Sequence, residues 1–170
     1  MLWYHDHAMG INRLNICAGM AGLYTIRDSF EDALNLPKGE YEIPLVLMDR
    51  MIGADGQIYY PVSQFPEAPW VPEYNGNATL VNGRLLPYLD VQARKYRFRI
   101  LNASNSRFYF LSLGNDQALL QIGTDQGLLT APVAVPRLAI APGERADVVV
   151  DFAELRGRRI SLNLKTAVRP

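Results

Sequence analysis

Short runs in which apolar and polar residues alternate recur along most of the 170-residue chain. In the run that begins at Tyr96 (YRFRIL), apolar side chains fall on one face and Arg97 and Arg99 fall on the other. Successive side chains of a strand point to opposite faces, so this run predicts a half-buried antiparallel strand. The helical period of about 3.6 residues is not sustained over a dozen residues anywhere. Similar runs predict further strands at 41–49, 57–60, 79–82, 108–114, 119–123, 137–141, 147–152 and 160–165.

Turn residues separate these runs. The pairs Asp55-Gly56 and Asn82-Gly83 suit two-residue hairpins, because Asp, Asn and Gly tolerate positive φ. Residues 63–76 contain three prolines and predict a long surface loop. Many short strands with such punctuation are typical of an all-β fold, a β-sandwich or barrel. Residues 29–39 (SFEDALNLPKG) are polar, contain Pro and Gly, and are a candidate interdomain linker.

Composition excludes several classes of function. Lys and Arg total 17, as do Asp and Glu, and no basic run occurs, so we expect neither a nucleic-acid surface nor a membrane-binding patch. No apolar run reaches the roughly 18 residues of a membrane span, and the protein is predicted to be soluble. The first ten residues lack the pattern of a signal peptide. They resemble a strand already under way, so we expect a piece of a longer product whose targeting segment is not visible.

The two histidines of the chain, His5 and His7, are the strongest candidates for chemistry. Residues two apart on a strand point to the same face with side chains roughly 6.5 to 7 Å apart, so both imidazoles can reach one metal or two adjacent metals. Asp6 between them would point away, as a proton-delivering acid or as a hydrogen-bonded surface group. A catalytic zinc needs three protein ligands, and no third histidine exists here. Cys17 is the one cysteine, which excludes an internal disulfide.

The chain also resembles a known family. Residues 3–10 (WYHDHAMG) and 18–28 (AGMAGLYTIRD) are similar to the second histidine motif, and the strand after it, of the multicopper oxidases. The branch in question contains bacterial spore-coat laccases and bilirubin oxidases. Four later segments resemble the second cupredoxin domain of that branch in order and spacing: 79–90 (TLVNGRLLPYLD), 94–107 (RKYRFRILNASNSR), 121–129 (QIGTDQGLL) and 141–152 (APGERADVVVDF).

The resemblance implies a Greek-key cupredoxin-like sandwich preceded by strands of a neighbouring cupredoxin domain. It divides the chain into the end of a first domain (1–27), a linker (28–40) and a second domain (41–170) that lacks its last strand. It implies that His5 and His7 bind copper as ligands of the type 3 pair in a trinuclear cluster. The other histidine motifs of the family, including the one around the copper-binding cysteine, are absent from these residues.

The implied function is that of one part of a laccase-like or bilirubin oxidase-like enzyme. Such an enzyme oxidises phenols, pigments or metal ions and reduces O2 to water, and it would be extracytoplasmic or in a spore coat. Its partners would be the remaining cupredoxin domains, and the chain alone should be inactive. Two alternatives stay open: a copper-free scaffold or binding protein of the same fold, and a zinc-dependent hydrolase using His5 and His7. We expect Arg97, Arg99 and Arg107 to pair with Asp147, Asp151 or Glu144 and not to bind substrate.

Overall fold

The computed structural model describes residues 1–166, which form thirteen strands and two short α-helices. Single turns of 3₁₀ helix lie at Gly39–Tyr41 and Ala153–Leu155. The helices are α1 (Asn12–Cys17) and α2 (Ser29–Ala33). The strands are β1 (Leu2–His5), β2 (Ala21–Tyr24), β3 (Glu42–Ile52), β4 (Ile58–Tyr59), β5 (Ala78–Val81), β6 (Arg84–Leu85), β7 (Lys95–Asn102), β8 (Tyr109–Leu113), β9 (Leu119–Thr124), β10 (Gly127–Val135), β11 (Leu138–Ile140), β12 (Arg145–Asp151) and β13 (Leu162–Thr166). The all-β prediction is therefore confirmed.

Two sheets form the main body of the molecule. The larger has the strand order β10-β9-β12-β7-β3-β5-β6, with β4 paired to one end of β3. The smaller has the order β11-β8-β13. Apolar side chains from both sheets meet in one core, because each strand points alternate residues inward. Its fully buried members include Leu47, Ile100, Tyr109, Leu111, Leu119, Ile140, Val148 and Val150.

Strand β7 lies at the centre of the larger sheet and differs from its prediction. Tyr96 and its apolar neighbours face the core as expected, but Arg97 and Arg99 on the other face are also buried, at 0% and 5% exposure. The strand pairs antiparallel with β12, as expected, but parallel with β3, and the expected half-burial is wrong because both of its faces are buried. The face that carries the two arginines can be buried because carboxylates from α2 and β3 pair with their guanidiniums.

The histidine-bearing start of the chain forms an antiparallel hairpin of β1 and β2, with α1 between the two strands. An isolated two-stranded hairpin is marginally stable in water. Here one face packs against the body, where Trp3 and Leu23 contact a cluster of buried side chains that includes Met48 and Leu101. The body therefore stabilises the segment that carries His5.

Of the two predicted two-residue turns, the structure forms one. Asn82 and Gly83, with φ of 50° and 76°, form the expected two-residue connection between β5 and β6. Asp55-Gly56 instead lies in a five-residue loop, because Ile52 pairs with Ile58 and leaves residues 53–57 to the turn. The irregular loop at 63–76 is confirmed, since neither a helix nor a strand interrupts it. Residues 167–170, where we expected the second domain to stop short of its last strand, lie outside the described residues.

The candidate linker at 28–40 contains ordered structure. Asp28 caps α2 by accepting a hydrogen bond from the Glu31 N–H at 2.7 Å. Glu31 then reaches the two buried arginines of β7, with its Oε1 2.8 Å from Nη1 of Arg97. The segment is thus fixed to the face of the larger sheet opposite the core.

Candidate metal centre

His5 is the last residue of β1, and His7 follows two residues later in the turn towards α1. Their imidazole rings stack with centroids 4.5 Å apart and planes inclined by 29°. The structure therefore brings the two predicted ligands together, although His7 lies beyond the strand and the rings are closer than strand geometry predicts. The Trp3 ring also contacts the His5 ring, with centroids 4.3 Å apart and planes inclined by 33°.

The hydrogen bond of His5 suits a metal ligand. Its Nδ1 lies 2.7 Å from the backbone carbonyl oxygen of Asp6. A carbonyl oxygen only accepts hydrogen bonds, so Nδ1 is the donor in this contact and Nε2 is the nitrogen left to bind a metal. A metal-bound histidine commonly donates its other ring N–H to a carbonyl in this way. Imidazole nitrogen is also a donor that copper favours, so the pair fits the implied metal.

Asp6 is engaged in hydrogen bonds on the opposite side of the turn. Its carboxylate accepts from the Ala8 N–H at 2.9 Å and from Nδ2 of Asn15 at 3.0 Å. These two hydrogen bonds, of which the one from Ala8 contributes more, hold the pKa of Asp6 below its usual range. An ionised carboxylate with these partners matches the hydrogen-bonded group expected at this position and not the proton donor.

The described part of the chain supplies no further ligand. Within residues 1–166, no group of three or more His, Cys, Asp or Glu side chains could hold a metal ion. Cys17 is buried, and its thiol donates to the hydroxyl oxygen of Tyr74 at 3.5 Å. The candidate centre is therefore a pair of imidazoles on one turn.

Three side chains of the body that sequence reasoning missed hold α1 in place beneath this turn. Arg50, which is 1% exposed, donates from Nη2 to the Ile16 carbonyl at 3.0 Å. Asn105 donates to the Arg13 carbonyl at 2.9 Å, and the Tyr74 hydroxyl oxygen accepts a hydrogen bond from the Cys17 thiol. Each contact joins residues at least 34 positions apart, and no local pattern in the sequence signals it.

The predicted arginine cluster has a structural role. Arg97 binds Asp147 through Nε and Nη2, and both Arg97 and Arg99 bind Glu31. Arg107 pairs instead with Asp49, at 2.8 Å. The expected pairing with Asp147 is confirmed. Asp151 and Glu144 have other partners: Asp151 lies near Lys95, and the Glu144 carboxylate accepts from the Ala141 N–H.

None of the helices formed by residues 1–166 is long and apolar enough to cross a membrane.

Comparison with known proteins identifies close relatives. Residues 62–158 match the multicopper oxidase family. A laccase of Bacillus stratosphericus is 52% identical over 169 residues, which cover 95% of this chain and 33% of that protein. A laccase of Bacillus subtilis (strain 168) is 46% identical over 168 residues, with the same coverages. The crystal structure of a laccase from Pediococcus acidilactici has a TM-score of 0.84 and 32% identity over 95% of this chain and 34% of that one.

This chain therefore spans about a third of the length of these relatives. The solved relative shares its arrangement of strands, which confirms the cupredoxin-like sandwich. The family match covers more than half of the 170 residues. The chain therefore belongs to the multicopper oxidase family.

Proposed function

We propose that this chain is the part of a multicopper oxidase that contributes His5 and His7 to a trinuclear copper cluster, as ligands of its type 3 pair. The observation that carries the proposal is the stacked pair of imidazoles, 4.5 Å apart, in which Nε2 of His5 is free to bind a metal. It stands in a segment, 3–10, that resembles the second histidine motif of this family.

The chain's own residues would hold and shield the metal. His5 and His7 supply neutral imidazole nitrogens, and the Asp6 carbonyl fixes the ring of His5. Trp3 covers one side of that ring. Copper bound there would accept electrons and deliver them to O2, whose reduction to water takes four. The whole protein would draw these electrons one at a time from phenolic, pigment or metal-ion substrates.

Residues 1–27 would complete a first cupredoxin domain, 28–40 would be the linker, and 41–170 would be a second domain that holds its neighbours in register. The exposed face of the β1–β2 hairpin supports this division. On this face Leu2, Tyr4 and Tyr24 expose 44%, 64% and 61% of their surface, which is costly for side chains so apolar unless another layer covers them. The remaining cupredoxin domains of the whole protein would be that layer.

A narrower placement follows from the relatives. Two of them are named laccases and come from Bacillus species, which supports a laccase-like activity on phenols or pigments. We place the chain in the branch that contains spore-coat laccases and bilirubin oxidases, with an extracytoplasmic or spore-coat location.

Replacement of His5 in the whole protein tests the proposal. His5→Ala and His7→Ala should each lower the copper content and abolish the near-ultraviolet absorption of the type 3 pair, while the blue absorption of the mononuclear copper stays. Asp55→Ala, in an exposed loop remote in sequence from the histidine turn, is the control and should change neither band. Loss of the blue absorption with the type 3 band intact would contradict the assignment.

The same preparations separate the two alternatives. A wild-type protein that takes up no copper on reconstitution would be the copper-free scaffold. Hydrolytic activity that zinc restores, and that His5→Ala removes, would identify the zinc-dependent hydrolase.

A further inference from the structure

The turn between the two histidines is closed by a single residue. The carboxylate of Asp6 accepts from the Ala8 N–H at 2.9 Å, which bends the chain over His7. Its other oxygen accepts from Nδ2 of Asn15, at 3.0 Å. Its backbone carbonyl accepts from Nδ1 of His5, at 2.7 Å. Three hydrogen bonds on Asp6 therefore constrain both imidazoles and connect the turn to α1.

Helix α1 is a fixed point for this connection. It has six residues, too few to be stable by itself in water. The buried guanidinium of Arg50 binds its Ile16 carbonyl, and Asn105 binds its Arg13 carbonyl. These two hydrogen bonds fix α1 against the main body. The hydrogen bond from Asn15 to Asp6 therefore fixes the histidine turn relative to the main body as well.

We propose that Asp6 is a positioning residue, which presets the tautomer of His5 and the spacing of the two imidazoles before copper binds. The inference rests on the proposed function, because it assumes that His5 and His7 are copper ligands. Asp6 does not reach the metal in this arrangement, since both carboxylate oxygens are directed at Ala8 and Asn15. It acts through geometry and not through its charge.

The distinction between geometry and charge decides the choice of variants. Asp6→Ala removes both side-chain hydrogen bonds. Asp6→Asn removes the charge but keeps an oxygen for the Ala8 N–H, and its amide can pair with that of Asn15. Asn15→Ala removes one bond and leaves Asp6 untouched. Asp55→Ala is the matched control, because the Asp55 carboxylate closes an equivalent turn by accepting from the Gln57 N–H at 3.0 Å.

The first measurement is made on the whole protein without metal. Nitrogen-15 NMR of the imidazoles should show His5 as the Nδ1–H tautomer in the wild type, in Asp6→Asn and in Asp55→Ala. Asp6→Ala should show a mixture of tautomers. Without the two side-chain hydrogen bonds, the backbone carbonyl of residue 6 is no longer held towards the His5 ring.

The second measurement is made on the copper-loaded protein. A chelator is added, and the decay of the near-ultraviolet band reports the loss of copper from the cluster. Substitution of the groups that orient a metal ligand typically weakens metal binding roughly 10- to 100-fold. We expect faster loss of that order for Asp6→Ala, a smaller acceleration for Asn15→Ala, and wild-type behaviour for Asp6→Asn and Asp55→Ala.

The outcomes separate this inference from the proposed function. If His5→Ala depletes copper but Asp6→Ala behaves as the wild type, Asp6 has no positioning role and the proposed function stands. If His5→Ala keeps its full copper content, the proposed function fails and the inference fails with it. Equal losses in Asp6→Ala and Asp6→Asn would show that the charge matters and would overturn the positioning role. Should Asp6→Ala fail to fold, Asn15→Ala decides: wild-type copper retention would overturn the inference.

Discussion

At the scale of single residues, Asn82 holds the turn between β5 and β6 to a third strand. Its Oδ1 accepts from the Val46 N–H at 2.8 Å, and its Nδ2 donates to the Pro44 carbonyl at 2.9 Å. Its φ of 50° is a conformation that Asn tolerates better than Ala. We predict that Asn82→Ala lowers the free energy of unfolding by about 2 to 3 kcal/mol, from two lost hydrogen bonds and the left-handed backbone. Urea titration measures the loss.

The control for this prediction is Asn77, which makes the same kind of double contact. It binds both the N–H and the carbonyl of Ile52, but it is not among the residues with positive φ. Asn77→Ala should therefore cost about 1 kcal/mol less than Asn82→Ala. Equal losses would mean that the left-handed conformation of residue 82 contributes nothing.

Residue type was enough to single out His5 and His7 as candidates, because they are the two histidines of the chain and lie two positions apart. Their role as metal ligands stays a prediction that rests on the family resemblance. The alternation around Arg97 correctly placed it on the face opposite the core. Its complete burial could not be predicted, since it depends on Glu31, 66 positions earlier in the chain. Asn15 was missed because its contact with Asp6 depends on the position of α1, a helix too short to be recognised from the sequence.

At the scale of elements, α2 is fixed to the larger sheet by one carboxylate. Burial alone would raise the pKa of Glu31, but the charges of Arg97 and Arg99 and their hydrogen bonds outweigh it and hold that pKa below its ordinary value of 4.5. The unfolded chain therefore binds this proton more readily than the folded one. We predict that the stabilisation from Glu31 is complete above about pH 4.5 and is lost as the pH falls through the lower pKa of the folded state.

Glu31→Gln checks this prediction through the acid limb of the unfolding curve. The variant should be less stable than the wild type at pH 7, because two buried guanidiniums lose a charged partner. Its stability should also fall less steeply below pH 4.5. Glu67→Gln, at an exposed position, is the control and should keep the wild-type slope. The same slope in Glu31→Gln and wild type would contradict the role of Glu31.

Most elements of the sandwich were predictable because alternation marks a strand that has one apolar face. Strand β10 was missed, since Pro132 lies within it and its register shifts between Leu128 and Val133. Such interruptions are tolerated because β10 is at the edge of its sheet, where an unpaired backbone N–H is not required. Helices α1 and α2 have six and five residues, too short for a helical period to show.

At the scale of the whole molecule, the fold and the candidate site were predictable to different depths. The alternation of residues predicted the sandwich without any relative, whereas the identity of the metal came from the resemblance of segment 3–10 to a family motif. The division into 1–27, 28–40 and 41–170 stays a prediction. In the structure these segments share contacts, since Trp3 packs on the body and Glu31 binds β7.

The 170-residue chain expressed by itself should not reduce O2. Its two histidines and one buried cysteine provide one pair of imidazoles, whereas reduction of O2 to water takes four electrons that this family distributes over several copper ions. We predict weak Cu²⁺ binding that the double variant His5→Ala, His7→Ala removes, and no O2 consumption with a phenol and added copper. Equilibrium dialysis and an oxygen electrode measure these two properties. Oxygen uptake above that of copper and phenol alone would contradict the prediction, because it would show that two imidazoles on one turn suffice for the reaction.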